Sequence, residues 1–301
     1  AALLGKEAGL FVSSGTLGNQ VALRVHCQPG DDVLVGEESH NQWHENGAAG
    51  ALAGVQFTVL GRGGLFSADD VSEGIKPANG LYPPTRLLSI ENTHNRGGGR
   101  VWPLAQLDAV CAAGRAGGLA LHLDGARLWN AAAALGVPEA RLAAGFDTVS
   151  VCLSKGLGAP AGSVLCGDRE RIQRARRFRQ MYGGGLRQAG VLAAAGLYAL
   201  HHHRGRLGDD HENARALGAA LAEIPGITVR APIETNIIVF DLAPGVGPDA
   251  PALVAALRGR GVLLNAFGRR RLRAVTHLDV DAAACARAAA VIDATWRELS
   301  A

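Results

Sequence analysis

Residues 119–131 read LALHLDGARLWNA, and residues 148–160 read TVSVCLSKGLGAP. Each is an apolar, strand-like run that stops at one charged residue, Asp124 or Lys155, with glycine next. In a parallel sheet covered by helices the strands are apolar throughout, and ligands bind at their carboxyl edge. The two stretches therefore predict a carboxylate and an amine facing one crevice from neighbouring strands. Either residue alone is ambiguous. An Asp at a strand end commonly caps a helix or forms a turn, and a Lys between Ser154 and Gly156 suits a phosphate loop or a plain turn. Together, in this order, they favour a pyridoxal phosphate site. The lysine amine forms a Schiff base with the cofactor aldehyde, and the aspartate keeps the pyridine nitrogen protonated so that the ring accepts electrons.

Working outward, short apolar runs alternate with helical patterns from Leu10 to Cys166: GLFVSS, DVLVG, GVQFTVL, RLLSIEN, GLALHLD, DTVSVCL and SVLCG. That alternation predicts an α/β fold, a mostly parallel sheet wrapped by helices. Two long helices are expected over 188–203 and 207–224. Beyond Pro225 the strand-like ITVR, TNIIVFDL, VLLNAF and LRAVTHL are separated by expected helices at 251–260 and 281–298, which describes a small α+β carboxyl-terminal domain. The boundary is placed near residue 205, giving a large domain over 1–205 and a small one over 206–301. Ala1 starts inside a stretch that reads as a helix without a cap, so a preceding segment is expected.

The chain has 301 residues, 48% of them hydrophobic, enough for two cores. A net charge of +3 gives no footprint for nucleic acid or an anionic membrane. The arginines from Arg169 to Arg179 fit a solvated or subunit-facing helix. Five cysteines without paired spacing imply reduced thiols and a cytoplasmic setting. No run is long enough for a membrane span.

Further constellations lie at the other expected strand ends. Ser13, Ser14, Gly15 and Thr16 follow a strand and open a helix, where free N–H groups and the helix dipole suit a phosphate. The segment lacks the P-loop lysine and is not GxGxxG. His40, past the strand DVLVG, could stack flat on a pyridine ring. His40 and His44 also share a helical face, but the order of HExxH is absent and no metal is expected. His94 follows the strand RLLSIEN and could orient a substrate hydroxyl. Arg96 to Arg100 reads as a turn-making loop. Arg127 is expected on the first turn of a helix, facing the cleft, with a surface salt bridge as its alternative. Arg273, in an otherwise apolar strand, suits an α-carboxylate, while Arg269, Arg270 and Arg271 read as loop charges. His201, His202 and His203 read as a helix end.

SSGTLGNQVAL, SHNQWHENGAAGAL, ENTHNRGG, LHLDGARLWNAA, CLSKGLGAPAGSVL, MYGGGLRQAGVLAAAGLYAL and RAVTHLD, in that order, resemble the low-specificity L-threonine aldolases of the fold-type-I pyridoxal-phosphate superfamily. The resemblance spans essentially the whole chain. It implies a PLP-dependent transferase-like fold, the cofactor pyridoxal 5'-phosphate, and cleavage of L-threonine or L-allo-threonine, a small amino-acid substrate, to glycine and acetaldehyde. It implies Lys155 as the Schiff-base lysine, Asp124 as the pyridinium partner and His40 as the stacking residue. Gly15, Thr16 and Ser154 match phosphate contacts, Arg127 and Arg273 match cofactor and substrate-carboxylate contacts, and His94 matches the residue near the substrate hydroxyl. It further implies a homotetramer, a dimer of dimers, with Arg187 reaching a neighbour's site. Two departures stand out. Gln180 replaces a basic residue common in the family, and the family's chains start earlier, with a segment carrying a Ser near the substrate carboxylate and an aromatic residue from the neighbouring subunit. The base that takes the hydroxyl proton is left open between His94, His40 and an ordered water. A β-eliminating or aminotransferring relative, or a non-catalytic subunit, are the alternative readings.

Overall fold

The computed structural model describes residues 1–300 and divides into two compact units. The first comprises Ala1–Gly97 and Val101–Gly205, and the second comprises Gly98–Arg100 with the chain from Arg206 onward.

The first unit is built on β1 (Ala8–Val12), β2 (Asp32–Gly36), β3 (Gln56–Leu60), β4 (Thr85–Glu91), β5 (Ala120–Gly125), β6 (Thr148–Cys152) and β7 (Ser163–Gly167). Each of the seven strand-like runs read between Leu10 and Cys166 forms one of these strands. Their order across the sheet is β1-β7-β6-β5-β4-β2-β3. β6, β5, β4, β2 and β3 are parallel neighbours, and β7 is antiparallel to both β1 and β6. β1 therefore runs with β6, and Val12 and Cys152, the last residues of both, pair with Ser163. The carboxyl ends of β1, β2, β4, β5 and β6 thus share one rim. All five residues of β2 and of β6 are buried, as strands covered on both faces must be. β3, at the sheet edge, buries only Leu60 of its five residues.

The covering helices are α1 (Gly15–His26), α2 (His40–Trp43), α3 (Ala68–Gly74), α4 (Leu104–Ala116), α5 (Leu128–Leu135), α6 (Glu139–Ala143), α7 (Arg169–Met181) and α8 (Gly190–His202). α1 and α7 bury Val21, Val25, Ile172 and Ala175 against Leu10, Val12 and Leu165. Each such Val, Leu or Ile side chain contributes roughly 1.5–3 kcal/mol on burial. A Cβ on Gly18 would lie 2.6 Å from Ser150 Oγ, so glycine lets α1 press directly on β6. His203, the C-cap of α8, bonds Leu157 O at 2.7 Å through Nδ1. The opening residues form only a three-residue 3-10 turn, Ala2–Leu4, closed by Gly5 in the left-handed region at φ 63°. That replaces the expected helix with a turn, because Gly5 ends it at once.

The second unit orders β10 (Asn265–Ala266), β11 (Arg271–Val275), β9 (Ile237–Leu242) and β8 (Ile227–Val229) in one antiparallel sheet. α9 (Leu207–Ala222), α10 (Ala250–Arg258) and α11 (Ala282–Ser300) bury Leu217, Leu253, Leu257, Ile292 and Trp296 with Phe240 and Leu272. Of the expected strand VLLNAF only Asn265–Ala266 pairs, since Val262 and Leu264 turn onto the core instead. β11 alternates half-buried and buried, with Arg271, Arg273 and Val275 on one face and Leu272 and Ala274 on the core face. Arg273 is thus carried on the open face of a one-sided strand, not inside a strand buried on both sides. Two of the expected loop charges are structural: Arg270 donates to Pro248 O at 2.9 Å, and Arg271 in β11 pairs with Asp241 at 2.7 Å. Thr235 Oγ1 donates to Gly99 O at 2.8 Å, anchoring the three-residue segment that the glycine loop contributes.

The five cysteines are buried and free, and no helix among the described residues is long and apolar enough to cross a membrane.

Candidate active site

The rim begins at α1. Ser14 is its N-cap, accepting from Leu17 N at 3.1 Å through Oγ. Gly15 and Thr16 form the first turn, where N–H groups lack partners within the helix and the dipole favours an anion. A Cβ on Gly15 would stand 3.0 Å from Cys152 Sγ, so this turn lies against the end of β6. Past that end come exposed Ser154 and half-buried Lys155, in a turn held by Gly158 N donating to Lys155 O at 2.8 Å.

Asp124, buried near the end of β5, accepts from Asn19 Nδ2 at 2.7 Å and from Ala126 N at 3.1 Å. His122, one residue pair earlier on the same strand face, is driven by burial down to about 4, against the pull of Asp124, so it is neutral at physiological pH. Arg127 is the N-cap of α5, one position before the expected first turn, and is half-buried. Burial pushes its guanidinium down from the ordinary value, while Glu91, Cys152 and Asp124 pull it back up.

His40 opens α2. Its backbone N donates to Glu91 Oε2 at 2.8 Å, and its Nδ1 lies 2.9 Å from Glu45 Oε1. Burial alone would lower the imidazole. The hydrogen bond to Glu45 and the charges of Asp124, Glu45 and Glu91 outweigh it, and the net shift is upward. Glu91 ends β4 and also accepts from Asn95 N at 2.9 Å, so one carboxylate ties the loop after β2 to the loop after β4. Arg96 reinforces that tie, pairing with Glu38 at 2.9 Å and lying 4.8 Å over the Trp43 ring. The glycine loop after β4 therefore does more than turn the chain.

His94 is fully enclosed at 1% exposure. Its Nδ1 accepts from Gly97 N at 3.0 Å, so the ring hydrogen sits on Nε2. Nε2 is buried, lies 3.7 Å from Glu91 Oε2, and has no hydrogen-bond partner among the described residues. A buried donor without an acceptor costs free energy, which a ligand accepting from it would recover. Gly64, at φ +88°, packs on the ring, and a Cβ there would fall 2.1 Å from Nδ1.

The structure thus gathers Gly15, Thr16, His40, His94, Asp124, Arg127, Ser154 and Lys155 along one rim of the first unit. Arg187 is exposed between α7 and α8. Arg273 belongs to the second unit, its guanidinium 4.5 Å from the Phe267 ring centroid. Sequence reading passed over Asn19, Glu45, Glu91, His122 and Gly64. Glu91 carried the same signal as Asp124, an apolar run ending in one acid, whereas a polar Asn on α1 carries none. His40, Glu45 and Asp124 place three ligand-type atoms within 4.8 Å of one another, the one such group among the described residues. Asn19 Nδ2 donates one hydrogen to each carboxylate of that group, at 2.8 Å to Glu45 and 2.7 Å to Asp124.

The sequence pattern of the beta-eliminating lyase family matches residues 1–243. A low specificity L-threonine aldolase of Escherichia coli is 41% identical over 292 residues, 96% of this chain and 85% of its own. The chain belongs to the low-specificity L-threonine aldolase family. A probable low-specificity L-threonine aldolase 2 of Arabidopsis thaliana is 41% identical over 283 residues, covering 92% of this chain and 80% of its own. Among solved structures, a putative L-allo-threonine aldolase of Listeria monocytogenes superposes with a TM-score of 0.80 at 23% identity, covering 99% of this chain and 84% of the other, a likeness of fold.

For a threonine aldolase the implied cofactor is pyridoxal 5'-phosphate, and the residues present fit it. Its phosphate needs unpaired N–H groups and hydroxyls, which the start of α1 and Ser154 offer. Its ring nitrogen needs a carboxylate with room to accept, and Asp124 uses one donor on each oxygen, leaving further lone pairs. Its aldehyde needs an amine, which Lys155 carries.

Proposed function

We propose that the protein is a pyridoxal-phosphate-dependent aldehyde-lyase that cleaves L-threonine and L-allo-threonine to glycine and acetaldehyde. The observation that carries the reading is the unpartnered Nε2–H of His94 on the same rim as Asp124 and Lys155. A buried donor at that place suits a β-hydroxyl, the group that distinguishes these substrates from simple amino acids.

When bound, the cofactor supplies an electron sink conjugated to the substrate's amino nitrogen, which lets the Cα–Cβ bond break. Lys155 provides the amine for covalent attachment and yields its place to the incoming amino acid. Gly15, Thr16 and Ser154 hold the phosphate, with Arg187 reaching in from a neighbouring subunit. Asp124 holds the proton of the ring nitrogen, and His40 packs against the ring face. Arg127 bonds the cofactor's ring oxygen and the substrate, and Arg273 takes the substrate carboxylate by a bidentate pair. His94 donates from Nε2 to the β-hydroxyl oxygen. With Nδ1 engaged by Gly97, His94 orients the hydroxyl, so the proton leaves to another acceptor on this rim, His40 or an ordered water. Acetaldehyde departs and Cα takes a proton, giving glycine.

Residues 1–205 form the cofactor-binding domain and 206–301 the small domain of a cytoplasmic homotetramer. Val191, Leu197 and Tyr198 support self-association, since α8 exposes them at 77%, 56% and 59%. The deciding experiment supplies the protein with pyridoxal phosphate and L-threonine and measures products. Acetaldehyde and glycine in equal amounts are expected. Formation of 2-oxobutanoate and ammonia instead would assign an elimination reaction.

A further inference from the structure

Asn19 lies at the centre of a chain of hydrogen-bonded side chains, and two carboxylates fix the direction of its amide. Its Nδ2 donates to Asp124 Oδ2 at 2.7 Å and to Glu45 Oε1 at 2.8 Å, which uses both amide hydrogens. Oδ1 is left to accept, and it faces His122 Nε2 at 3.2 Å. The neutral His122 ring therefore carries its hydrogen on Nε2 and accepts at Nδ1 from Thr148 Oγ1, 2.9 Å away. That hydroxyl in turn accepts from His26 Nε2 at 2.8 Å. On the other side Glu45 takes the His40 Nδ1 hydrogen on Oε1 and Gln20 Nε2 at 2.6 Å on Oε2. Asn19, Glu45, His122, Thr148 and Asp124 are all buried. The amide cannot flip without losing three bonds, because its reversed oxygen would face two carboxylates and its nitrogen an N–H donor.

We propose that Asn19 is a positioning residue: its amide holds Asp124 as a pure acceptor, keeps the shared proton on the cofactor's ring nitrogen, and ties that carboxylate to His40 through Glu45. The proposal rests on the reading of Asp124 as the ring-nitrogen partner and His40 as the ring-face residue. Each N–H donated to a carboxylate stabilises its charged form and makes it a weaker base. Between a ring nitrogen and a carboxylate sharing one proton, that weakening moves the proton toward nitrogen, where it makes the ring a better electron sink. Ala126 N supplies one such donor and Asn19 the other. The charged or titratable groups around the amide are Asp124, Glu45 and His122, with His26, His40, Glu91 and Arg127 beyond them. Two neighbouring carboxylates repel, and one amide hydrogen on each offsets that repulsion.

The experiment reads the proton directly, with the cofactor labelled with ¹⁵N at its ring nitrogen and the holoenzyme observed by NMR at neutral pH. The wild-type signal should stand at the protonated position. In Asn19→Leu and Asn19→Ala it should move toward the unprotonated position, the proton distribution changing roughly ten- to a hundredfold for loss of one charge-assisted hydrogen bond. A wild-type signal in both variants, with Asp124→Ala displaced, overturns the role of Asn19 while leaving Asp124 in place. A wild-type signal in Asp124→Ala overturns the underlying assignment instead. The tie to His40 is read separately in the cofactor-free protein. The size-matched Glu45→Gln removes the negative partner, so the His40 ring should titrate at lower pH than in the wild type, and an unmoved titration overturns the tie.

Discussion

His94 Nε2 is a buried N–H that makes no hydrogen bond among the described residues, and its consequence belongs to single residues. Hydroxyl contacts separate the two epimers of threonine, whereas contacts to Cα do not. His94→Phe should therefore change the ratio of L-threonine to L-allo-threonine cleavage by about tenfold or more, the worth of one hydrogen bond to a buried partner. A uniform fall in both rates, with the ratio intact, would refute that orienting role. Arg273 offers a second case. A guanidinium fork matches a carboxylate with two bonds, which an ammonium cannot reproduce. Arg273→Lys should raise KM for threonine roughly tenfold with cofactor affinity preserved, and a variant that loses cofactor at unchanged KM would place the residue elsewhere. The placement of Asp124, Lys155, Thr16, His40 and His94 at or just past strand ends was legible beforehand, because each lies at the close of an apolar run and a strand end is a local signal. Asn19, Gln20 and Glu45 were not. Polar residues on or near a helix start look alike until the acceptors they meet are known.

At the scale of elements, the rim works because helices and loops approach it closely at glycines. Gly64, in the loop after β3, leaves the space occupied by the His94 ring. Gly64→Ala would put a methyl 2.1 Å from Nδ1 and force an L residue to φ +88°. The backbone strain alone costs about 1–3 kcal/mol, and the ring is displaced from the place where we propose that it meets the substrate. Threonine turnover should fall about a hundredfold with cofactor still bound, and steady-state kinetics beside a cofactor titration check it. Wild-type turnover would show that the loop yields without moving His94. The helices of the second unit were legible from periodicity to within a few residues at most ends. The strand VLLNAF was not, because an apolar run reads the same whether it pairs at a sheet edge or folds onto the core beneath.

For the whole molecule, buried histidines set the response to acid. Burial holds His26 at about 3 and both His122 and His211 at about 4, all below the ordinary 6.5. The unfolded chain therefore binds more protons than the folded one over this range, and stability rises with pH. Read downward, stability is lost as pH falls below 6.5 toward 4 for His122. His40 acts in the opposite sense: its raised value adds stability that is complete below 6.5 and is lost as pH rises through the folded value. Three lowered histidines against one raised leave a net loss in acid. Urea midpoints should drop between pH 7 and pH 5, and the drop should shrink in His122→Gln, which cannot titrate. A midpoint indifferent to pH in the wild type would refute it. The amino-acid sequence alone determined which residues stand on the carboxyl rim, since apolar runs and their polar terminators are local patterns that any parallel α/β sheet places at one edge. Only the tertiary structure decided how those residues bond to one another. Asn19 meets Asp124 across 105 residues because the order β1-β7-β6-β5-β4-β2-β3 lays α1 along the ends of β6 and β5. Strand order is set by packing the whole sheet, and no local pattern encodes it.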